Sequence, residues 1–221
     1  MGEMIDLTAS CGHIFQAYLT GDPHALRGIV VAQEIFGVNR HIRRVCDELA
    51  GYGYQVIAPA LFDRVERGVE LGYTAADIAR GLKLREPIEE AAVLRDIEAA
   101  AAKLAPRPTG IIGYCWGGTI AWLGATRSKA FKAAIGWYGG GIRAAQDTRP
   151  NCPVQLHFGA EDKSIPLADV AAIRQRHPEI PVYVYDGAEH GFGCEERPSF
   201  NPRANEIALH RSLAFFAEHL T

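Results

Sequence analysis

Short runs of Ile, Val and Ala alternate along the chain with longer segments that are apolar only at every third or fourth position. Such short runs are typical of strands buried in a parallel sheet, and the longer segments are typical of helices that cover one. Strands are predicted at Leu26–Gln33, Tyr54–Pro59, Thr109–Gly113, Ala133–Trp137, Val154–Phe158 and Val182–Tyr185. A further pair near Ile5–Leu7 and His13–Leu19 is expected at the sheet edge.

The helical segments fall between these strands. Asn39 is expected to cap the first helix, which ends at glycines after His41–Ala50. Further helices are predicted at Thr74–Leu82, Glu86–Ala105, Trp116–Arg127, Leu167–Gln175 and Pro202–His219. This alternation predicts an α/β fold, a mostly parallel central sheet with helices on both faces. In such folds, ligands bind at the carboxyl ends of the strands.

Composition narrows the class of protein. A chain of 221 residues with 48% hydrophobic and 22% charged residues can bury a sizeable core, and no repeat or linker divides it. A single domain over residues 1–221 is therefore expected. The net charge of −3 and the lack of a dense Lys/Arg block argue against nucleic-acid or membrane-surface partners. The expected partner is a small molecule, and the chain is expected to be a monomer or weak homodimer.

The five cysteines are odd in number and contain no Cys-x-x-Cys pair, which argues against a disulfide scaffold and a structural zinc site. A cytoplasmic location is expected, since the N-terminus carries acids and no apolar core of signal-peptide length. No His-Glu-x-x-His or paired-ligand spacing occurs, so neither a metal nor a cofactor is expected. His157 is expected in the core, and solvent exposure is expected for His41, His177, His210 and His219.

The segment Gly113–Gly117 has the pattern Gly-x-nucleophile-x-Gly between a predicted strand and a predicted helix. A nucleophile elbow places its residue on a sharp turn with strained backbone, where flanking glycines leave room. Cys115 would then lie at a helix N-terminus, which favours the thiolate, and the Trp116 backbone N–H would face a developing oxyanion. The alternative is a buried structural cysteine between packing glycines.

An elbow nucleophile needs an acid and a base later in the chain, in that order. Asp162 and His190 follow two consecutive predicted strands, each through a Gly-Ala-Glu turn. His190 would take the thiol proton or stabilise the thiolate, and Asp162 would orient the imidazole. Glu161 is the main rival for the acid, and Asp186 and Glu189 are weaker ones.

Glu34 ends a buried strand, where a carboxylate must be paired, protonated or functional. Arg64 occupies a matching position after the next predicted strand. We expect the two to pair beside Cys115. A substrate carboxylate would compete for Arg64 and free Glu34 to act as a base. The alternative is a salt bridge that only anchors the loop.

Five motifs together resemble the dienelactone hydrolase family of the α/β-hydrolase superfamily. They are Gln-Glu-Ile-Phe-Gly-Val-Asn (33–39), Ala-Pro-x-Leu-Phe-x-Arg (58–64), Gly-Tyr-Cys-Trp-Gly-Gly (113–118), the turn 159–162 and Ala-Glu-His-Gly-Phe (188–192). The resemblance spans essentially the whole chain. It implies hydrolysis of an enol-lactone, dienelactone to maleylacetate, in the breakdown of chlorinated aromatics.

The resemblance also implies roles for individual residues. Cys115, Asp162 and His190 would form the triad, and the backbones of Ile35 and Trp116 would form the oxyanion hole. Glu34 would activate the cysteine when substrate binds. Arg64 would contact the substrate carboxylate.

The chain departs from the family pattern four residues after His190. A second substrate-binding arginine is expected there, but the residue is Cys194, and Arg197 is the nearest replacement. Another carboxylate-bearing ester, lactone or thioester is therefore an equal candidate for substrate. Two further alternatives are a non-catalytic or regulatory protein that binds a small acid, and a redox-active thiol with Cys194 as its resolving partner.

Overall fold

The computed structural model describes residues 2–221 and contains one eight-stranded sheet. The strands are β1 (Glu3–Thr8), β2 (Ile14–Thr20), β3 (Gly28–Ala32), β4 (Gln55–Pro59), β5 (Thr109–Tyr114), β6 (Ala133–Trp137), β7 (Val154–Gly159) and β8 (Val182–Tyr185). Their spatial order is β1-β2-β4-β3-β5-β6-β7-β8. Only the pairings of β2, with β1 and β4, are antiparallel. The predicted mostly parallel sheet with an edge pair at the start is confirmed.

Seven helices within the described residues connect and cover the strands. They are α1 (Arg40–Gly51), α2 (Ala75–Arg85), α3 (Glu90–Leu104), α4 (Trp116–Arg127), α5 (Ile142–Ala145), α6 (Leu167–Arg176) and α7 (Pro202–His219). Asn39 caps α1 as predicted, and its side chain accepts a hydrogen bond from Ile42 N. The predicted helix Glu86–Ala105 begins four residues late, because Pro87 lies in the turn that separates α2 from α3. Residues 61–64 form a 3₁₀ turn that was not predicted.

Helices cover both faces of the sheet. Gly28 and Gly110 point to opposite faces, because Gly28 pairs with Thr109, the neighbour of Gly110. An added Cβ at Gly28 would meet Leu104 of α3, whereas one at Gly110 would meet Phe216 of α7. The short apolar strands β3, β5 and β6 are therefore buried from both sides. No helix within residues 2–221 has the length and apolar character needed to cross a membrane.

Candidate active site

Cys115 lies on a sharp turn between β5 and α4. Its φ of 56° and ψ of −114° are strained for a residue with a side chain. The turn is held by a hydrogen bond from Cys115 N to Trp137 O of the neighbouring strand, at 3.0 Å. An added Cβ at Gly113 would lie 1.9 Å from Gly117 O, and one at Gly117 would lie 2.0 Å from Ala32 O. Both glycines of the motif are therefore needed for backbone to pack on backbone at this turn.

We expect Gly117→Ala to lower the free energy of unfolding by about 3 kcal/mol, because the added methyl group would meet the backbone carbonyl oxygens of Ala32 and Gln33, which cannot rotate away. For a chain of this size, that loss corresponds to a melting temperature roughly 10 °C lower. Gly51→Ala is the matched control, since a Cβ there has no heavy atom within 4 Å. Thermal unfolding measures both variants. Equal melting temperatures would contradict the close approach at Gly117.

Cys115, His190 and Asp162 lie in one hydrogen-bonded line. The Sγ of Cys115 is 3.2 Å from Nε2 of His190, and Nδ1 of His190 is 2.7 Å from Oδ2 of Asp162. These residues follow β5, β8 and β7, so three strand ends supply the three groups. The structure thus brings the three predicted residues together in the predicted order.

The environment of His190 favours its protonated form. Burial alone would lower the pKa of His190, but the hydrogen bonds to Asp162 and Cys115 outweigh burial and raise this pKa to about 10. The imidazole therefore carries a proton at neutral pH. The protonated ring nitrogen Nε2 lies 3.2 Å from Sγ of Cys115, within reach for a proton to pass between the two side chains.

Asp162 is fixed by its own loop. Its buried carboxylate accepts backbone hydrogen bonds at Oδ1 from Ser164 N (2.8 Å) and Ile165 N (3.2 Å). Oδ2 is then left for the imidazole. The rival carboxylates of Glu161, Asp186 and Glu189 are all exposed. Of the four candidate carboxylates, Asp162 is therefore the one that contacts His190.

A cavity of about 340 Å³ opens over Cys115 and His190. Its apolar wall consists of Ile35, Phe36, Ile78, Leu82, Trp116 and Ile165. Two cations, Arg85 and Arg197, also line it, and the Arg85 guanidinium lies 5.7 Å from the centre of a Trp116 ring. The cavity therefore suits a small ligand with an apolar part and an anionic group.

Helix α2 closes one side of this cavity by direct contact with the loop after β3. An added Cβ at Gly81 would lie only 2.0 Å from Ile35 O. The same helix carries Ile78, Leu82 and Arg85, which face the cavity.

Trp116 begins α4, and the first N–H groups of a helix have no acceptor within it. The predicted oxyanion donors, Ile35 and Trp116, thus both border the cavity at Cys115.

The predicted pair between Glu34 and Arg64 is wrong. Arg64 forms two hydrogen bonds of 2.7 Å with Asp96 of α3, and it is not among the described residues that line the cavity. The physical reason is that Asp96 is fully buried and needs a cation, and the 3₁₀ turn directs Arg64 to it. The pattern of α3 does not reveal this requirement, because Asp96 there resembles an ordinary helix polar residue.

Glu34 is paired instead with Arg197. The Glu34 side chain is fully buried, its Oε1 is 3.6 Å from Nη1 of Arg197, and its Oε2 accepts a hydrogen bond of 3.1 Å from the Tyr73 hydroxyl. Arg197 fits here because Gly191 has φ +78° and no side chain, since a Cβ there would lie 2.4 Å from Nη1. Arg197 therefore links Glu34 to the cavity. Arg85 and Tyr73 were not predicted, since neither lies in a motif.

Two of the helix histidines depart from the prediction of solvent exposure. His41 is 1% exposed and His177 is 3% exposed, whereas His210 is exposed as expected. His177 contacts Gln146 O at 2.6 Å. His157 is buried with hydrogen-bond partners at both ring nitrogens, Tyr185 and Gln155, so its assignment to the core is confirmed. Helix position alone did not indicate which histidines are buried.

Known proteins are similar to this chain in sequence and in fold. The model of the dienelactone hydrolase family matches residues 15–220. A "Putative carboxymethylenebutenolidase" from Synechocystis sp. is 37% identical over 212 residues, covering 87% of this chain and 86% of the relative. The "Carboxymethylenebutenolidase" of Pseudomonas putida is 30% identical over 228 residues, covering 97% and 96%.

A solved structure agrees with the sequence relatives. The crystal structure of a "Putative Dienelactone Hydrolase" from Klebsiella pneumoniae subsp. pneumoniae MGH 78578 superimposes with a TM-score of 0.86 at 30% identity. It covers 99% of this chain and 98% of that one. The chain therefore has the α/β-hydrolase fold, belongs to the dienelactone hydrolase family, and is a hydrolase of that type.

Proposed function

We propose that this hydrolase cleaves a carboxylate-bearing ester or enol-lactone through Cys115 and an acyl-enzyme. The observation that carries the proposal is the 3.2 Å contact between Cys115 Sγ and His190 Nε2. Both residues line the cavity. A thiolate beside an imidazolium is an activated nucleophile, and Asp162 orients the imidazole from its other nitrogen.

The reaction has two halves. The Cys115 thiolate attacks the carbonyl carbon, the C–S bond forms, and the C–O bond to the leaving group breaks as His190 gives that oxygen its proton. In the second half, neutral His190 takes a proton from water, which attacks the thioester and releases the acid and the thiolate. For a lactone, both oxygens end on one open-chain product.

The oxyanion of each tetrahedral intermediate would lie between the backbone N–H groups of Trp116 and Ile35. Both residues border the cavity at Cys115, on α4 and on the loop after β3. Donors that are fixed before the reaction stabilise the developing charge without reorganisation. The close packing of Gly81 of α2 against Ile35 O holds this loop in place.

Arg197 and Arg85 are the proposed anchors for the substrate carboxylate, in place of Arg64. Both line the cavity, and Arg197 is only 17% exposed, so an anion there is little screened by water. A carboxylate on Arg197 would compete with Glu34 for the guanidinium. We propose that Glu34, once released, serves as a base in those enzyme molecules whose Cys115 thiol still carries its proton.

Substrate charge provides the test of this anchoring. Arg197→Met and Arg85→Met are each expected to lower kcat/KM about 10- to 100-fold on carboxylate-bearing lactones and esters, because a charged hydrogen bond contributes about 1.5–3 kcal/mol. Neutral p-nitrophenyl esters should be hydrolysed at nearly the wild-type rate. Steady-state kinetics on a matched panel of charged and neutral substrates measures the difference.

Arg80→Met is the control for that experiment, since Arg80 is on α2 but pairs with Glu66 at an exposed position. It should treat both substrate classes as the wild type does. Equal losses on charged and neutral substrates in the Arg197 and Arg85 variants would contradict a role in carboxylate binding.

The Pseudomonas putida relative is named for the hydrolysis of an enol-lactone, and we propose the same reaction class here. A reducing compartment such as the cytoplasm is also proposed, since all five cysteines are free. The monomer or weak homodimer expected from the sequence stays a prediction, as does the single domain over residues 1–221.

A further inference from the structure

Three buried side chains of different chemical type meet behind the cavity. The Glu34 carboxylate, the His41 imidazole and the Cys194 thiol each place one ligand atom within 4.8 Å of the other two. Their residues are 0%, 1% and 0% exposed. The proposed hydrolytic mechanism uses Glu34 but neither His41 nor Cys194.

Several polar atoms of this cluster lack a hydrogen-bond partner among the described residues. They are Oε1 of Glu34 and both ring nitrogens of His41. A buried imidazole must offer one N–H and one lone pair, and leaving both unused costs about 1–3 kcal/mol for each group. Unpaired buried polar atoms of this kind require an explanation, and an ion is one of the recognised explanations.

The donor set identifies the class of ion. One thiolate, one imidazole and one carboxylate are the ligands that Zn²⁺ binds, at about 2.0–2.3 Å, and three protein ligands leave a fourth position open. Ligand atoms around a tetrahedral ion lie roughly 3–4 Å apart, so small side-chain rotations would bring this cluster to the required spacing. From this geometry we propose that Glu34, His41 and Cys194 form a binding site for zinc or a similar divalent transition metal.

The chain holds the three ligands from separate elements. Glu34 follows β3, His41 lies in the first turn of α1, and Cys194 lies in the turn where its N–H donates to Gly191 O at 3.0 Å. Tyr73 donates to Oε2 of Glu34, which orients the carboxylate and leaves Oε1 without a hydrogen bond from the described residues. Outer hydrogen bonds of this kind fix the orientation of metal ligands.

Arg197 is the competitor of the proposed ion. Its Nη1 lies 3.6 Å from Oε1 of Glu34, too far for a hydrogen bond. An ion on Oε1 would displace the guanidinium from Glu34. Arg197 also lines the cavity, so the ion and a ligand in the cavity would influence each other through this residue.

The site is tested by Co²⁺ binding in the Cys115→Ser variant. This background is required, because Cys115 and His190 form a second thiol–imidazole pair that can bind metal. We expect one equivalent of Co²⁺, with the sulfur-to-metal charge-transfer absorption of a bound thiolate, and displacement of the cobalt by Zn²⁺. The affinity is measured by competition with a chromophoric chelator, and the readout does not depend on hydrolytic activity.

Cys115→Ser/Cys194→Ala should lose the charge-transfer absorption, and Cys115→Ser/His41→Asn should bind at least 10-fold more weakly. Cys115→Ser/Cys46→Ala is the matched control, because Cys46 is a buried thiol of α1 outside the cluster, and it should bind as the background does. Circular dichroism is used to check that each variant folds. Failure of the folded Cys115→Ser protein to bind the ion, or full binding after loss of Cys194, would overturn the proposal.

Discussion

Cys115→Ala should reduce hydrolysis of every accepted ester or lactone by roughly 10⁴-fold or more, because it removes the atom proposed to attack the carbonyl. Ala keeps a Cβ at the φ of 56° that residue 115 adopts, so the strain of the turn is little changed. Steady-state rates on a p-nitrophenyl ester, with melting temperature as a measure of folding, give the result. A folded variant with more than about a tenth of the activity would exclude the thiol as nucleophile.

Alkylation supplies the control for this variant. Cys11 is an exposed thiol whose pKa is lowered by the His13 backbone N–H and by Arg64, so iodoacetamide is expected to label it together with Cys115. Cys11→Ser should therefore keep full activity and still be inactivated by one equivalent of reagent, with the added mass on Cys115. Retention of activity in a Cys11→Ser protein alkylated at Cys115 would contradict the proposed role.

Asp162→Asn should lower kcat by about 10²- to 10⁴-fold while leaving the fold intact. The amide can occupy the same space and accept the backbone hydrogen bonds of Ser164 and Ile165, but it carries no charge to orient and stabilise the imidazolium. Glu161→Gln, an exposed neighbour in the same turn, is the control and should retain wild-type kinetics.

The pH profile of Asp162→Asn separates this role from simple destabilisation. His190 has its pKa raised to about 10, so the protonated imidazole persists up to that pH and activity should fall only as pH rises through it. Loss of the Asp162 charge lowers this pKa, and the alkaline limb should move to lower pH. An unchanged limb in a slower enzyme would show that Asp162 does not act through His190.

The sequence was sufficient to predict the sheet, six of the seven described helices and the meeting of Cys115, Asp162 and His190, because each rests on a local pattern. Buried strands are short apolar runs, Cys115 has glycines on both sides at fixed spacing, and Asp162 and His190 directly follow strands. Parallel strands bring their carboxyl ends to one edge, so order along the chain is enough to place these groups together.

The pairing of the charged residues could not be predicted in the same way. Arg64 and Asp96 lie 32 positions apart in sequence, and Glu34 and Arg197 are still more distant. Which cation reaches which carboxylate depends on burial and on the path of loops such as the one opened by Gly191. The Glu34, His41 and Cys194 cluster is hidden for the same reason, since three separate elements contribute one residue each.

The contact of Gly81 with Ile35 O has a consequence for how substrate preference changes during evolution. Helix α2 presents Ile78, Leu82 and Arg85 to the cavity. The same helix packs through Gly81 against the backbone of Ile35, a proposed oxyanion donor. Substitutions at those three positions alter the cavity wall and leave the contact of Gly81 with Ile35 O unchanged. A larger residue at Gly81 would displace the loop after β3 that carries Ile35. Relatives with new substrates are therefore expected to differ at the helix positions that face the cavity and to keep glycine at position 81.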